Sequence, residues 1–368
     1  MPVGFSLTVS NVARTIHRMP HRTAARIVLL VIVSLISLAP TRAAEPTVEL
    51  VGVRKIWDAA PHSAFTDLTR QGGAWWCVFR EGSGHVPGTD GTIRVLRSGD
   101  GAAWRSAAVI KEKGIDLRDP KVSVAPDGRL MILMGGSTYA GREPTPNRTL
   151  VSARSRVSYS TNGATWSPPR PVEGVADGQW LWRVTWHKGV GYGTAYSTRE
   201  QGGGRRAMSI WTTADGVRYE RLTDPKPPVD LTEATIRFRA DDTMVVLLRG
   251  EEKNRHAWIG TSKPPYRTWD WRDGGHAAQG PDFIVLNDGR MFYAGRDFDA
   301  KQKGAARTVF GRMTPEKLEP LITFPSGGDT SYPALVDAGD GTLRVSYYAS
   351  HEGKAAIYLA TVRVGAGQ

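Results

Sequence analysis

The sequence predicts an all-β protein, a six-bladed β-propeller of four-stranded antiparallel blades, on three observations. Hairpins of short strands recur six times, at intervals of roughly fifty to sixty residues. A second turn, Ser/Thr-x-Asp/Asn-Gly-x-x-Trp/Tyr, recurs in step with the first three hairpins. The composition, 41 Gly, 23 Pro and 12 Trp among 368 residues, suits many turns and few long helices. A strand repeat of this period buries its faces against neighbouring copies, which favours a ring.

Residues 1–43 read as an export signal. Arg14, Arg18, Arg22 and Arg26 precede the apolar run from Ile27 to Ala39, and Thr41-Arg42-Ala43 offers a small-x-Ala cleavage site. The charged lead is long, so Met19 is the alternative start. The run is short for a membrane span, so a secreted or periplasmic product without stable membrane insertion is expected. Residues 44–364 then form one propeller domain, and 365–368 a short tail. The single cysteine, Cys77, cannot make an internal disulfide and reads as a buried strand residue. The net charge of +12 falls to +7 without the five arginines of the leader, and the remaining basic residues are scattered. Nucleic acid is therefore not an expected partner, whereas an anionic glycan is compatible.

The hairpins follow in order. Val48 to Ile56 precedes them, has no hairpin of its own, and is expected to close the ring on the sixth blade. Ala64–Glu81 turns at Gly72-Gly73, and Leu117–Gly135 at Pro126-Asp127-Gly128. Trp180–Ser197 turns at Lys188-Gly189, and Val229–Glu251 at Ala240-Asp241-Asp242. Pro281–Arg296 turns at Asn287-Asp288-Gly289, and Ser331–Ser350 at Asp340-Gly341. Third strands lead into the second turn type at Arg94–Trp104, Val157–Trp166 and Ser209–Tyr219, with a degenerate counterpart at Thr261–Trp269. In these turns Asp100, Asn162 and Asp215 cap the chain, the glycine supplies a positive φ, and the ring packs back into the blade. Their role is structural. Ile357–Val364 ends the sixth blade.

A hairpin returns the chain to the face it left, so the start of each first strand and the end of each second strand share one mouth of the ring. That mouth collects Asp67, Arg80, Glu81 and His85 from blade one, and Arg118, Asp119 and Lys121 from blade two. Blade three brings Trp182, Arg183 and Glu200, and blade four Glu233, Arg249 and Glu251. Blade five brings Asp282, Arg296 and Asp297, and blade six Asp329, Tyr332, His351 and Glu352. The glycine turns lie at the other end. Charge gathered at one mouth is what a polar ligand requires. The eight histidines are dispersed without ligand spacing, so neither a metal nor a cofactor is expected.

These residues resemble the sialidase (neuraminidase) superfamily of six-bladed propellers with Asp-box turns, over about residues 48–364. TEATIRF offers Glu233, VVLLRGE offers Arg249, FYAGRDF offers Arg296 and SYPAL offers Tyr332, in the family's order; TDGTIRVLRS puts Asp90 where the family keeps its acid/base aspartate. The resemblance implies an exported exo-acting glycosidase that releases a terminal acidic sugar such as sialic acid with retention, and a monomer is expected. Tyr332 is then the nucleophile, Glu233 its base and Asp90 the acid, with His85 second choice. The family's Arg-Ile-Pro arginine is absent; its place reads Ala64-Phe65-Thr66-Asp67. Arg80, Arg118 or Arg183 must then join Arg249 and Arg296 in clamping the substrate carboxylate. If none does, the substrate is another sugar, cleaved by a carboxylate pair. Asp67 and Asp119 are candidates for such a pair or for binding hydroxyls, Asp282 is a further substrate contact, and Trp180 and Trp182 could stack on a sugar. A glycan-binding propeller without activity is the third reading. Asn147-Arg148-Thr149 is a glycosylation sequon.

Overall fold

The computed structural model describes residues 47–365 except 87, 142–148, 199–205, 300, 301 and 303. The leader, Asn147 and Arg148 of the sequon, and Glu200 lie outside the described residues. Among the described residues twenty-four strands form six antiparallel four-stranded sheets. Blade one is β2 (His62–Gln71), β3 (Ala74–Gly82), β4 (Thr92–Ser98) and β5 (Arg105–Ile110). Blade two is β6 (Asp116–Val124), β7 (Leu130–Ala140), β8 (Thr149–Ser160) and β9 (Arg170–Pro171). Blade three is β10 (Gln179–His187), β11 (Val190–Ser197), β12 (Met208–Thr213) and β13 (Glu220–Thr223). Blade four is β14 (Leu231–Phe238), β15 (Met244–Gly250), β16 (His256–Ser262) and β17 (Asp270–Ala277). Blade five is β18 (Gln279–Val285), β19 (Met291–Asp299), β20 (Ala305–Met313) and β21 (Leu318–Thr323). Blade six joins β22 (Ser331–Asp337), β23 (Thr342–Ala349) and β24 (Ala356–Val364) to β1 (Val48–Trp57), which pairs antiparallel with β24 from Val48↔Val364 to Trp57↔Ile357. The N-terminal strand thus completes the last sheet and gives it the fourth strand that its own segment lacks. Among the described residues no helix is long and apolar enough to cross a membrane.

The core is a series of apolar seams between blades. Between blades five and six, Phe292, Phe310, Phe324, Tyr347 and Tyr358 follow one another at ring separations of 5.5, 6.3, 5.2 and 5.4 Å. Such contacts add roughly 0.5–1.5 kcal/mol each beyond area burial. Cys77 is fully buried in β3, and burial pushes its thiol well above the ordinary range.

The second turn type is built by its polar residues. Asp100 Oδ1 accepts from the Ser98 hydroxyl and from the N–H groups of Ala102 and Ala103, while Ser98 Oγ accepts from Gly101. Those N–H groups, first Ala103 and then Ala102, pull the Asp100 carboxyl down to about 2. Asn162 with Ser160, and Asp215 with Thr213, repeat the pattern. Trp104 and Trp166 donate back to the glycine carbonyls.

Every innermost strand carries a β-bulge at the same level, after Ala64, Arg118, Leu181, Leu231, Gln279 and Ser331. A bulge leaves residues out of the ladder and re-aims their side chains. In three blades a proline takes the second unpaired position, Pro120, Pro281 and Pro333, where no N–H is required. The first unpaired residue is left-handed in four blades: Phe65 (φ 64°), Asp119 (47°), Gly280 (61°) and Tyr332 (50°). For residues with a Cβ this conformation costs roughly 1–3 kcal/mol and is held only by surrounding structure. The bulges form a ring around the axis, and the candidate site is built on it.

Candidate active site

Tyr332 and Glu233 occupy bulges of β22 and β14. The Tyr332 hydroxyl donates to Glu233 Oε1 at 2.6 Å. Glu233 is 4% exposed and also accepts from Arg249 Nη1, at 3.0 and 2.8 Å, and from the Gly280 N–H at 3.3 Å. Gly280 has no room for a side chain, because an added Cβ would come within 2.9 Å of the Tyr332 ring. Burial, then the Glu233 charge, raises the Tyr332 phenol well above its ordinary value, with Arg249 opposing. The tyrosine is therefore protonated at rest, and its proton already points at a carboxylate that can take it. Arg249 Nε lies 2.7 Å from Glu251 Oε1. Burial works against the Arg249 charge, but Glu233, Tyr332 and Glu251 outweigh it and hold the guanidinium firmly cationic.

Two further arginines flank this pair. Arg118, beside the β6 bulge, lies over the Phe65 ring at 5.2 Å, and its one hydrogen bond among the described residues is a long 3.5 Å contact to Asp116 Oδ2. Burial opposes its charge, and Asp119, Asp116, Tyr139 and Tyr332 reverse the balance. Arg296, at the end of the β18–β19 hairpin, donates to the Thr330 carbonyl at 2.7 Å and to the Tyr348 hydroxyl at 3.3 Å. The side chains of Arg118, Arg249 and Arg296 keep 12%, 18% and 17% exposure, enough to present N–H edges to a ligand.

Asp119 is buried, and its Oδ1 has no hydrogen-bond partner. Burial raises its carboxyl, against the pull of Arg118 and Lys121. That oxygen is sealed from solvent beside one arginine and one lysine, an uncommon state for a carboxyl group. Lys121 sits beneath the tyrosine, with its Nζ 4.4 Å from the Trp182 ring centre and 5.5 Å from that of Tyr332. Burial, then Arg183, lowers its amine to about 8.

Four expected substrate contacts are engaged elsewhere. Arg183 Nη1 grips both oxygens of Asp67, at 2.9 and 3.1 Å, and Arg237 Nη2 donates to Asp282 Oδ1 at 2.7 Å. Asp67 also accepts the Val122 N–H, and Asp282 the Leu335 N–H, so each aspartate staples its own blade to the next. Asp67 and Asp282 are 0% and 1% exposed. Arg80, fully buried, binds Asp116 at 2.8 Å and the carbonyls of Gly84 and Thr89, and so clamps the loop 83–91. Trp182 is 1% exposed with its ring 5.5 Å from that of Tyr332, so it is a wall under the tyrosine and cannot stack on a sugar. Trp180 is buried against Gly135, where a Cβ would come within 1.9 Å of its ring. Asp90 is half-buried at the foot of the clamped loop, next to Gly91, whose N–H binds Asp116.

Sequence reasoning did not single out Tyr348 or His62. Tyr348 donates to Asp329 Oδ1 at 2.8 Å, and Asp329 Oδ2 lies 3.0 Å from His62 Nε2 and 2.7 Å from His85 Nδ1. The hairpin rule could have found Tyr348, which ends the second strand of its blade as Arg249 does. The three donor atoms of His62, His85 and Asp329 lie within 4.8 Å of one another, the grouping among the described residues closest to a metal donor set. Both rings converge on one carboxylate oxygen, however, and the Arg296 guanidinium lies 3.9 Å from the other. That is the geometry of a hydrogen-bonded trio, and a neighbouring cation disfavours a second one.

No protein-family model matches the sequence, and no curated protein matches it. Solved structures do match in fold. A Dyadobacter fermentans protein of unknown function superposes with a TM-score of 0.75 at 16% identity, covering 86% of this chain and 99% of its own. Trypanosoma rangeli sialidase in complex with the inhibitor DANA gives 0.62 at 13% identity, covering 85% of this chain and 58% of its own. An α-L-arabinofuranosidase of Fusarium graminearum with arabinobiose gives 0.62 at 14%, covering 85% and 98%. The chain thus has the fold of the sialidase-like six-bladed propellers, and spans little more than half the length of the sialidase.

Proposed function

We propose that the protein is an exported, retaining glycoside hydrolase that removes a terminal anionic sugar, with Tyr332 as nucleophile. The observation that carries this is the 2.6 Å bond from the Tyr332 hydroxyl to Glu233, set among Arg118, Arg249 and Arg296. An anionic nucleophile would be repelled by a carboxylate on the anomeric carbon. A neutral phenol whose proton passes to a glutamate avoids that repulsion, and sialidases are the known exception to the paired-carboxylate rule. Glu233 Oε1 takes the phenol proton as Tyr332 Oη attacks, and the arginines hold the substrate carboxylate through charge-assisted bonds. Arg118 fills the part of the absent Arg-Ile-Pro arginine. The leader at 1–43 supports export, and the solved sialidase and arabinofuranosidase of like fold support glycoside cleavage as the reaction class.

A second reading, a neutral-sugar glycosidase, is favoured by one observation: Glu233 and Asp119 are two buried carboxyl groups beside one tyrosine, and one oxygen of Asp119 is unpartnered. A panel of 4-methylumbelliferyl glycosides separates the two. Release from sialic acid, lost in Tyr332→Phe, supports the first. Turnover of arabinofuranoside or another neutral sugar, with Tyr332→Phe active and Asp119→Asn dead, supports the second. No turnover on any glycoside would sink both.

A further inference from the structure

We infer that His85, oriented by Asp329, is the proton donor to the departing oxygen and the base for the incoming water; the inference rests on the tyrosine-nucleophile reading. An exo-acting pocket buries the terminal sugar and leaves the rest of the glycan at the mouth. The donor must therefore sit at the rim. The His85 side chain is 43% exposed, whereas Asp119 is 9% exposed on the pocket floor. His85 and Tyr332 flank the same ring: Phe65 lies 5.0 Å from the imidazole and 5.1 Å from the phenol.

The imidazole is held in one orientation. Its Nδ1 lies 2.7 Å from Asp329 Oδ2, which leaves Nε2 for a ligand. Asp329 is itself fixed, by the Tyr348 hydroxyl on Oδ1 and by its own N–H donating to Ser350 Oγ at 2.8 Å. Burial would raise its carboxyl, but the bonds from His62 and His85 hold it well below the ordinary range, a permanent anion behind the ring. The loop is tied down on both sides of His85. Arg80 binds the carbonyl of Gly84, immediately before His85, and Ser83 and Thr89 exchange side-chain to backbone bonds at 3.1 and 2.8 Å. An imidazole oriented by a half-buried carboxylate, with its far nitrogen turned away from it, is the arrangement that acid–base catalysis by histidine uses.

The steps balance. Tyr332 Oη bonds to the anomeric carbon and its proton goes to Glu233 Oε1. The bond to the leaving oxygen breaks, and that oxygen takes the Nε2 proton of the His85 imidazolium, leaving a neutral ring with Nδ1–H on Asp329. Water then attacks the anomeric carbon and gives a proton to Nε2. The bond to Tyr332 breaks, and Glu233 returns the phenol proton.

The test compares leaving groups on one sugar. Wild type, His85→Gln, Asp329→Asn and Asp90→Asn are assayed on the 4-methylumbelliferyl and the methyl glycosides of sialic acid, then of arabinofuranose. A phenol leaves without help, whereas methanol needs a proton. His85→Gln is expected to lose about 100- to 10,000-fold in kcat/KM on the methyl glycoside and less than about 10-fold on the aryl one. Asp329→Asn should show the same asymmetry, weaker, with KM little changed. Imidazole should restore methyl glycoside turnover to His85→Ala. Equal losses on both substrates, or the asymmetry in Asp90→Asn and not in His85→Gln, would overturn the inference while leaving Tyr332 in place. Activity abolished by EDTA and restored by Zn²⁺ would also overturn it. Silence of the wild type on every glycoside would remove the glycosidase reading itself.

Discussion

Two carboxylate–arginine pairs stand on the same ring of bulges, Glu233 with Arg249 and Asp67 with Arg183. In both, one guanidinium nitrogen reaches both carboxylate oxygens, at 2.8–3.0 Å in the first and 2.9–3.1 Å in the second. They differ in what completes them. Asp67 is 0% exposed, its second partner is the Val122 N–H, and Arg183 reaches on to Asp282. Every neighbour of that pair is fixed protein. Glu233 is completed instead by a phenol whose ring lines the pocket, and Arg249 keeps 18% side-chain exposure. The same ion pair is a staple between blades when sealed, and a proton acceptor beside a nucleophile when one partner can react.

The largest effect should come from Tyr332→Phe, which leaves the ion pair but removes the reacting atom. Glycoside turnover should fall by about a thousandfold or more, with stability changed by about 1 kcal/mol, read by steady-state kinetics and urea unfolding. Glu233→Gln and Asp67→Asn are the matched neutral substitutions. Glu233→Gln should lower kcat by about 100- to 10,000-fold, with modest destabilisation because Arg249 retains Glu251. Asp67→Asn leaves Arg183 buried without its bidentate partner and should cost about 3–5 kcal/mol in urea, with little effect on the kinetics of the surviving folded protein. Equal stability losses in the two would erase the distinction.

A smaller effect tests the pocket arginine that lacks a tight partner. Arg118→Lys keeps a charge but loses the planar fork, and should raise KM for an anionic sugar by about 10- to 100-fold through one lost charge-assisted bond. Unchanged KM would favour a neutral substrate. The smallest effect lies beneath the tyrosine. Lys121 titrates at about 8 when folded against 10.5 as the ordinary value. Between those values the unfolded chain binds the proton that the folded chain has lost, so stability rises as pH climbs from about 8 to about 10.5. Below about 8 the folded state bears the full cost of the buried charge. Urea unfolding across that window should show the rise in wild type and a flatter profile in Lys121→Met.

Much of this was legible in the chain. Hairpin periodicity sets which residues are neighbours along a blade, so the meeting of Glu233 with Arg249 follows from one turn at Ala240-Asp241-Asp242. The N-terminal strand lacked a hairpin partner, and that alone implied closure on β24. The capping turns were local patterns of hydroxyl, carboxyl and glycine, and they formed as local chemistry requires. Asp67, Arg183 and Asp282 could not be read the same way. Arg183 holds the bulge position that Glu233 holds in its own blade, and Asp67 and Asp282 come one residue later, so only the packing of six blades around an axis decides which side chains are sealed. Likewise the approach of His62, His85 and Asp329 joins residues from blades one and six that are more than 240 positions apart, between His85 and Asp329. Local sequence thus determined the strands, the turns and which mouth carries the charge, because those depend on near neighbours. The division of the charged residues into staples and reactive groups was decided by tertiary structure, because burial is a property of the whole ring.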